Sequence, residues 1–210
     1  MPYSNNVFIN CPFDNSYKKI LERLLFVLEF YEYKVFISTN MSSGHDRLSN
    51  IIELIEKSKF TFHDMSRHIA QKKGEYARFN MPFELGIDIG CFHFRRNRQD
   101  KVIAMLDSSP HSYDKYLSDM SGRDILYHFD EPDLLFQIIP EWLELHSDTL
   151  YDSSKRLQGY FLAWIHDYKA SLKSAGHDLR SINKISIHKY QKMLKVWVPN
   201  WKVANNYSLP

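Results

Sequence analysis

The sequence contains only two cysteines among its 210 residues, Cys11 and Cys91, and no CxxC pair. Each lies among apolar residues of a predicted strand or helix, which is typical of buried thiols in a reducing compartment. No apolar run approaches the roughly 20 residues needed to cross a bilayer. The amino terminus also lacks the basic stretch and apolar core of a secretory signal. The sequence therefore predicts a soluble cytoplasmic protein with no membrane partner.

Motifs for common cofactor and metal chemistry are missing as well. There is no G-x-x-x-x-G-K phosphate loop and no G-x-G-x-x-G, which argues against ordinary NTPase and dehydrogenase chemistry. The ten histidines include no HxxxH, no HExxH and no Cys/His cluster, so we expect no metal. His63 is interpreted as a core histidine.

Neither sign of charge dominates the sequence. The chain has 27 basic and 25 acidic side chains and a net charge of +2, which provides no electrostatic reason for tight nucleic-acid binding. Near the carboxyl end, lysines between 184 and 202 alternate with aromatic residues and could contact nucleic acid. The favoured interpretation is an amphipathic helix with solvated lysines, and we expect no nucleic-acid partner.

Short apolar runs alternate with amphipathic helical segments over the first two thirds of the chain. This alternation predicts right-handed βαβ units and an α/β fold. The expected architecture is a flavodoxin-like or Rossmann-like parallel sheet of about five strands with helices on both faces. The predicted strands are 7–13, 35–37, 60–65, 101–107 and 124–129.

The pattern changes after Leu145. Two helical segments follow, 152–174 and 182–198, with no strand between them. The sequence therefore predicts an α/β domain over residues 1–147 and a helical C-terminal extension over residues 154–210.

Polar residues follow the predicted strands at the point where each strand ends. Open parallel sheets bind ligands beyond this edge. Glu84 joins the edge from the opening turn of a helix that starts near Asn80. We expect its carboxylate to stay ionised because a helix amino end carries partial positive charge. Such a carboxylate suits a nucleophile, or a stabiliser of an oxocarbenium ion on a sugar. The polar groups after the strands are Asn10 to Asn15, Ser42 to Arg47, Asp64 with Ser66, and Asp107 to Ser109.

Structural explanations exist for both acids at this edge. Acids such as Glu84 are common in the first turn of a helix, where they stabilise it. A strand-end residue such as Asp64 often caps its own loop. Spacing alone favours these explanations for each acid taken separately. Their occurrence on the same edge favours a site in which Asp64 grips ribose hydroxyls.

Several segments resemble known proteins. VFINCPFDNSY, FTFHDMSR and FNMPFELGIDIG are similar to the first strand, third strand and catalytic helix of nucleoside 2-deoxyribosyltransferase-like proteins and their TIR-like relatives. YDKYLSDMSGRDILYHF resembles a segment of bacterial TIR-like proteins, many of them tied to antiviral defence. The resemblance covers about residues 7–142. It implies that Glu84 is catalytic and that substrate contacts come from Asn10, Pro12, Phe13, Ser43, Arg47, Asp64, Ser66 and Asn80.

The implied activity is hydrolysis of an N-glycosidic bond in NAD or a related nucleotide, in bacterial antiviral defence. NAD or the nucleotide would be the substrate rather than a cofactor, and no cofactor is expected. Pro82 and Phe83 stand where transferases usually have a small residue and a hydroxyl or acid, which disfavours deoxynucleoside transfer. A base-exchange transferase and a non-catalytic module for nucleotide sensing or assembly remain alternatives. The C-terminal helices are expected to contact a second copy or a partner protein.

Overall fold

The computed structural model describes residues 3–38, 46–67, 79–110, 117–120 and 125–210. Five strands form one parallel sheet in the order β2-β1-β3-β4-β5, with flanking helices. The predicted α/β class and strand number are therefore confirmed. The strands are β1 (Asn6–Asn10), β2 (Lys34–Ile37), β3 (Phe60–Asp64), β4 (Val102–Asp107) and β5 (Ile125–Tyr127).

Seven α-helices lie in the described ranges. The final helix begins at Ile187 rather than near Ile182, because the Ser186 hydroxyl accepts a hydrogen bond from the Lys189 N–H and caps a new helix there. A separate short helix precedes it. The helices are α1 (Lys18–Phe30), α2 (Arg47–Glu56), α3 (Asn80–Phe94), α4 (Leu135–Glu144), α5 (Ser154–Ser174), α6 (Leu179–Asn183) and α7 (Ile187–Ala204).

The two central strands β1 and β3 are buried along their whole length. Strands covered on both faces have near-continuous apolar sequences; β1 is apolar between its two asparagines, whereas β3 also buries the polar side chains of Thr61 and His63. Their register pairs Val7 with Phe60 and Asn10 with His63. Because all five strands run in the same direction, Asn10, Asp64 and Asp107 end their strands at one common edge.

Helices α2 and α3 pack their apolar faces on one side of this sheet. Phe8 forms a buried cluster with Ile51 and Ile55 of α2, and Ile87 of α3 packs against it. A second cluster joins α3 to the neighbouring strands and consists of Met65, Met81, Leu85 and Met105. Helix α3 belongs to both clusters, so apolar burial presses it onto the sheet.

A buried ionic contact also fixes α3 to the sheet. The Nζ of Lys101, just before β4, lies 3.1 Å from Oδ1 of Asp88, and both side chains are fully buried. The same ammonium donates hydrogen bonds to the carbonyls of Ile55 and Ser58. Burial works to raise the pKa of Asp88, but the hydrogen bond from His63 and the charge of Lys101 outweigh it and hold that pKa below its usual value.

The chain divides into two compact units, residues 1–17 with 33–130, and residues 18–32 with 131–210. The first contains the sheet, α2 and α3. The second contains α1 and α4–α7, and its core is rich in aromatic rings such as Phe26, which meets Phe161 edge-on at 5.2 Å. The domain limits predicted from the sequence remain predictions. None of the helices in the described ranges is long and apolar enough to span a membrane.

The two cysteines are free. Cys11 is buried, as its apolar surroundings predict, whereas Cys91 on α3 is only partly buried.

Replacement of Asp88 by Asn is expected to lower the free energy of unfolding by about 3 kcal/mol, because it leaves the Lys101 ammonium buried without its counter-charge. Urea denaturation followed by circular dichroism measures the change. Glu53→Gln is the matched control, since Glu53 pairs with Lys57 on the exposed face of α2 and its loss is expected to cost less than about 1 kcal/mol. Equal, small effects of both substitutions would contradict the anchoring role of Asp88.

Candidate functional site

Asn10 at the end of β1 is held in one orientation by two hydrogen bonds. Its side-chain nitrogen lies 3.0 Å from Nδ1 of His63 and 3.1 Å from the carbonyl oxygen of Met81. An amide nitrogen can only donate, so Nδ1 of His63 accepts and Nε2 carries the ring proton. That Nε2 donates to Oδ2 of Asp88 at 2.9 Å. A chain of buried contacts therefore runs from Asp88 through His63 to Asn10.

The side-chain oxygen of Asn10 has no hydrogen-bond partner among the described residues. Asn10 is 1% exposed, and Oδ1 is buried. Both N–H groups of the amide are used, so rotation of the side chain would break two bonds to satisfy one. A buried acceptor without a partner costs about 1–3 kcal/mol. A ligand that donates a hydrogen bond would remove this cost.

Glu84 is the fifth residue of α3 and lies in its second turn, so the prediction of an opening-turn acid was wrong. The helix begins at Asn80, and its first turn contains no acid. Glu84 is only 3% exposed. Its Oε1 lies 4.0 Å from a guanidinium nitrogen of Arg47, the first residue of α2. Its Oε2 is buried and has no hydrogen-bond partner in the described part of the chain.

The Glu84 carboxyl is not held in the ionised state. Burial raises its pKa to about 7, and the positive charge of Arg47 opposes this only in part. The expectation of a permanently ionised carboxylate was therefore wrong. The helix amino end acts within its first turn, and Glu84 lies beyond it. Near neutral pH the carboxyl thus exists in both protonation states.

Asp64, at the end of β3, has its acceptor positions filled. Oδ2 accepts hydrogen bonds from the Tyr17 hydroxyl at 2.7 Å and from His128 Nε2 at 3.1 Å. Oδ1 accepts from the N–H and the hydroxyl of Ser66. The hydrogen bond from the Ser66 N–H is the loop-capping interaction that was given above as the structural explanation for Asp64. The sugar-gripping role of Asp64 and the substrate contact of Ser66 remain predictions.

Both predicted acids lie near one buried thiol. Burial raises the pKa of Cys11 well above its usual range, and the negative charges of Asp64, Asp14 and Glu84 raise it further. Cys11 follows Asn10 directly at the end of β1. The carboxyl edge of the sheet therefore brings Asn10, Glu84 and Asp64 into one region, as the strand order predicts.

The other predicted contact residues differ in their exposure to solvent. Pro12 is buried and Phe13 is 37% exposed, both in the loop after β1. Asn80 is exposed and is the first residue of α3, whereas Phe79 occupies the N-cap position and no side chain caps the helix. Arg47 is exposed apart from its contact with Glu84. Ser43 lies outside the described residues.

Four residues that organise this region were not among the predicted site residues. Asp88 follows Glu84 by four positions, a spacing that places both on one helix face. His128 follows β5 at the same sheet edge as the predicted groups, so its position was also detectable. His63 was interpreted as a core histidine, which its full burial supports. No sequence signal pointed to Tyr17.

Metal ligation finds no support in the described ranges, where no group of three or more His, Cys, Asp or Glu side chains is arranged around a common point. The carboxylates of this edge pair instead with hydroxyl, imidazole, ammonium and guanidinium groups.

Comparison with models of known protein families gives no match, and comparison with curated proteins gives no relative. The likeness to TIR-like and deoxyribosyltransferase-like proteins therefore stays a prediction from the sequence motifs. The geometry around Glu84 and Asn10 supplies the physical basis for a function.

The pKa of Glu84 predicts how stability depends on pH. The folded value of about 7 exceeds the ordinary value of 4.5, so the ionisation of Glu84 lowers the free energy of unfolding as pH rises through this interval. Glu84→Gln cannot ionise. At pH 8 we expect it to be more stable than the wild type by about 1–2 kcal/mol, allowing for partial screening by solvent. At pH 4 the two proteins are expected to differ little.

Urea denaturation at pH 4, 6 and 8 provides the measurement. Glu141→Gln, an exposed acid on α4, serves as the control and is expected to show no such pH dependence. A constant difference between Glu84→Gln and the wild type across this range would contradict the raised pKa.

Proposed function

We propose that this protein cleaves the N-glycosidic bond of NAD or a related nucleotide, with the sugar bound beside Glu84. The observation that supports this most directly is the pair of buried acceptors, Asn10 Oδ1 and Glu84 Oε2, which lack partners among the described residues. Buried acceptors are nearly always satisfied. The hydroxyl groups of a ribose are donors and would satisfy both.

Glu84 supplies the charge that this reaction requires. As the C1′–N bond breaks, the base leaves with the bonding electron pair and positive charge develops on the sugar. An ionised Glu84 carboxylate stabilises that charge, or forms a transient ester with C1′. Water then attacks C1′, and its proton passes to Glu84 or to solvent. A pKa of about 7 suits a group that is ionised in the first step and accepts a proton in the second.

The hydrogen bonds of Asp64 favour a substrate whose base leaves without being protonated. Many glycosidases use a second carboxyl as a general acid. Here the two oxygens of Asp64 accept from Tyr17, His128 and Ser66, so this carboxylate is a poor proton donor. The pyridinium of NAD⁺ leaves as neutral nicotinamide and needs no acid. This chemistry favours NAD⁺ over ordinary nucleosides.

Arg47 supports a nucleotide rather than a simple nucleoside. Its guanidinium is more than half exposed and lies 4.0 Å from Glu84. Arginine binds phosphate oxygens through paired hydrogen bonds. A phosphate on the bound sugar would share this guanidinium and place C1′ toward the buried carboxyl. A place in antiviral defence, and assembly through the C-terminal helices, follow from the sequence resemblance alone.

Incubation of the purified protein with NAD⁺ is expected to release nicotinamide, measured by liquid chromatography. Glu84→Gln is expected to lower the rate at least 100-fold, because it removes the negative charge that stabilises the oxocarbenium ion. Glu141→Gln is expected to retain full activity. Below pH 7 the wild-type kcat/KM is expected to fall about tenfold per pH unit, as Glu84 becomes protonated.

The same assay separates the alternatives. Incorporation of a labelled free base into the nucleotide would identify a base-exchange transferase. Saturable NAD⁺ binding in calorimetry without nicotinamide release would identify the protein as a sensing module rather than a hydrolase. Absence of both binding and release would overturn the proposal.

A further inference from the structure

A hollow of about 630 Å³ lies between α5 and α7 in the second compact unit. Its volume falls in the range of sites that enclose small organic ligands. It shares no residue with the region around Glu84, and the activity proposed above does not use it. The residues that decide its chemistry are Trp164, Tyr168, Trp197, Asp167, Lys189 and Lys192.

Aromatic side chains form much of the wall of this hollow, and two of them, Trp164 and Tyr168, are largely buried. Trp164 Nε1 donates to the Tyr190 hydroxyl at 2.9 Å, and Trp197 Nε1 donates to Asp167 Oδ2 at 2.9 Å. Both indole N–H groups are therefore used within the protein. The ring centroids of Trp164 and Trp197 lie 5.5 Å apart, and that of Tyr168 lies 5.0 Å from Trp164. Such walls favour a flat, apolar body that packs against aromatic faces.

The rim of the hollow is positively charged. Lys189 and Lys192 lie three positions apart on α7 and are both exposed. The Nζ of Lys189 lies 3.3 Å from His177 Nε2, and Lys192 forms no ion pair with any residue of the described ranges. Asp167 is the one acid among the lining residues, and the Trp197 indole and His166 contact its carboxylate. The two lysine ammonium groups outnumber the single carboxylate, which already accepts hydrogen bonds. The net positive charge at the rim favours an anionic group there.

We propose that this hollow binds a planar aromatic anion, with its ring system packed against the aromatic wall that contains Trp164, Tyr168 and Trp197 and its anionic group near Lys189 and Lys192. The class includes nucleotides and aromatic carboxylates or sulfonates. The site is independent of Glu84, so its occupation is expected to be the same in the wild type and in Glu84→Gln.

Two fluorescent probes that differ by one charged group test the proposal. 8-Anilinonaphthalene-1-sulfonate is expected to bind with one saturable site per chain. N-Phenyl-1-naphthylamine has the same rings without the sulfonate, and we expect it to bind at least tenfold more weakly. Equal or tighter binding of the neutral probe would overturn the assignment, because a merely apolar surface would not favour the anion.

Three variants locate the bound probe. The double variant Lys189→Glu/Lys192→Glu is expected to weaken sulfonate binding at least tenfold and to leave the neutral probe unchanged. Ser171→Trp, at an exposed lining position of α5, is expected to fill the hollow and weaken both probes. Lys155→Glu, at the exposed start of α5, is the control and is expected to change neither. Circular dichroism melting checks that each variant folds. Unchanged sulfonate binding in the folded double variant and in folded Ser171→Trp would overturn the proposal.

Competition identifies the source of the ligand. Displacement of the sulfonate probe by AMP, but not by 2-naphthoate, would support the site and assign it to nucleotides. Displacement by 2-naphthoate alone would support the site and assign it to aromatic carboxylates. Failure of both compounds to displace the probe at millimolar concentration would overturn the proposal.

Discussion

The buried contact of Asp88 with Lys101 and His63 is the interaction on which the candidate site depends. It joins α3 to the sheet through the ammonium at the start of β4 and the imidazole of β3. A charge in a dry interior is tolerated only when its partners are fixed in place. The position of α3 along the sheet is therefore set by electrostatics as well as by apolar packing. Glu84 lies one turn before Asp88 on the same helix. The contact that fixes Asp88 therefore also fixes the position of Glu84.

The same contact controls the side of the site formed by β1. The proton on His63 Nε2 is committed to Asp88, which leaves Nδ1 as the acceptor for the Asn10 amide. The carbonyl of Met81 takes the second donor of that amide. The Asn10 oxygen is thereby fixed while it remains unsatisfied by the described residues. Two buried acceptors without partners among the described residues, Asn10 Oδ1 and Glu84 Oε2, lower the free energy of unfolding of the free protein. A ligand that donates hydrogen bonds to these two oxygens would remove that cost.

Much of the fold was predictable from the sequence, because short apolar runs and helical patterns identify elements one at a time. Helix α3 was predicted to start near Asn80, as it does, and all five strands were found. The edge that carries Asn10 and Asp64 followed from parallel strand geometry. What failed were the details that depend on local hydrogen bonds. The Ser186 cap divides the last helical segment, and Glu84 lies in the second turn of α3 rather than in the first.

The sequence did not show which residues pair with the acids. Asp64 is bound by Tyr17, 47 positions away, and by His128, 64 positions away. No periodicity relates such residues, so only the folded chain shows that the carboxylate is occupied. The protonation of Glu84 depends on burial by surrounding elements in the same way. Sequence reasoning found the acids, whereas the three-dimensional packing determines which of them is available for chemistry.

The most direct test of this account is the titration of Glu84 itself. Carbon-13 NMR of the side-chain carboxyl groups, with the Glu84 signal assigned by its loss in Glu84→Gln, follows its ionisation in the free protein. The account predicts a midpoint near pH 7. A midpoint at the ordinary glutamate value of about 4.5 would mean that water already solvates this carboxylate, and would contradict the claim that it lies buried and awaits a ligand.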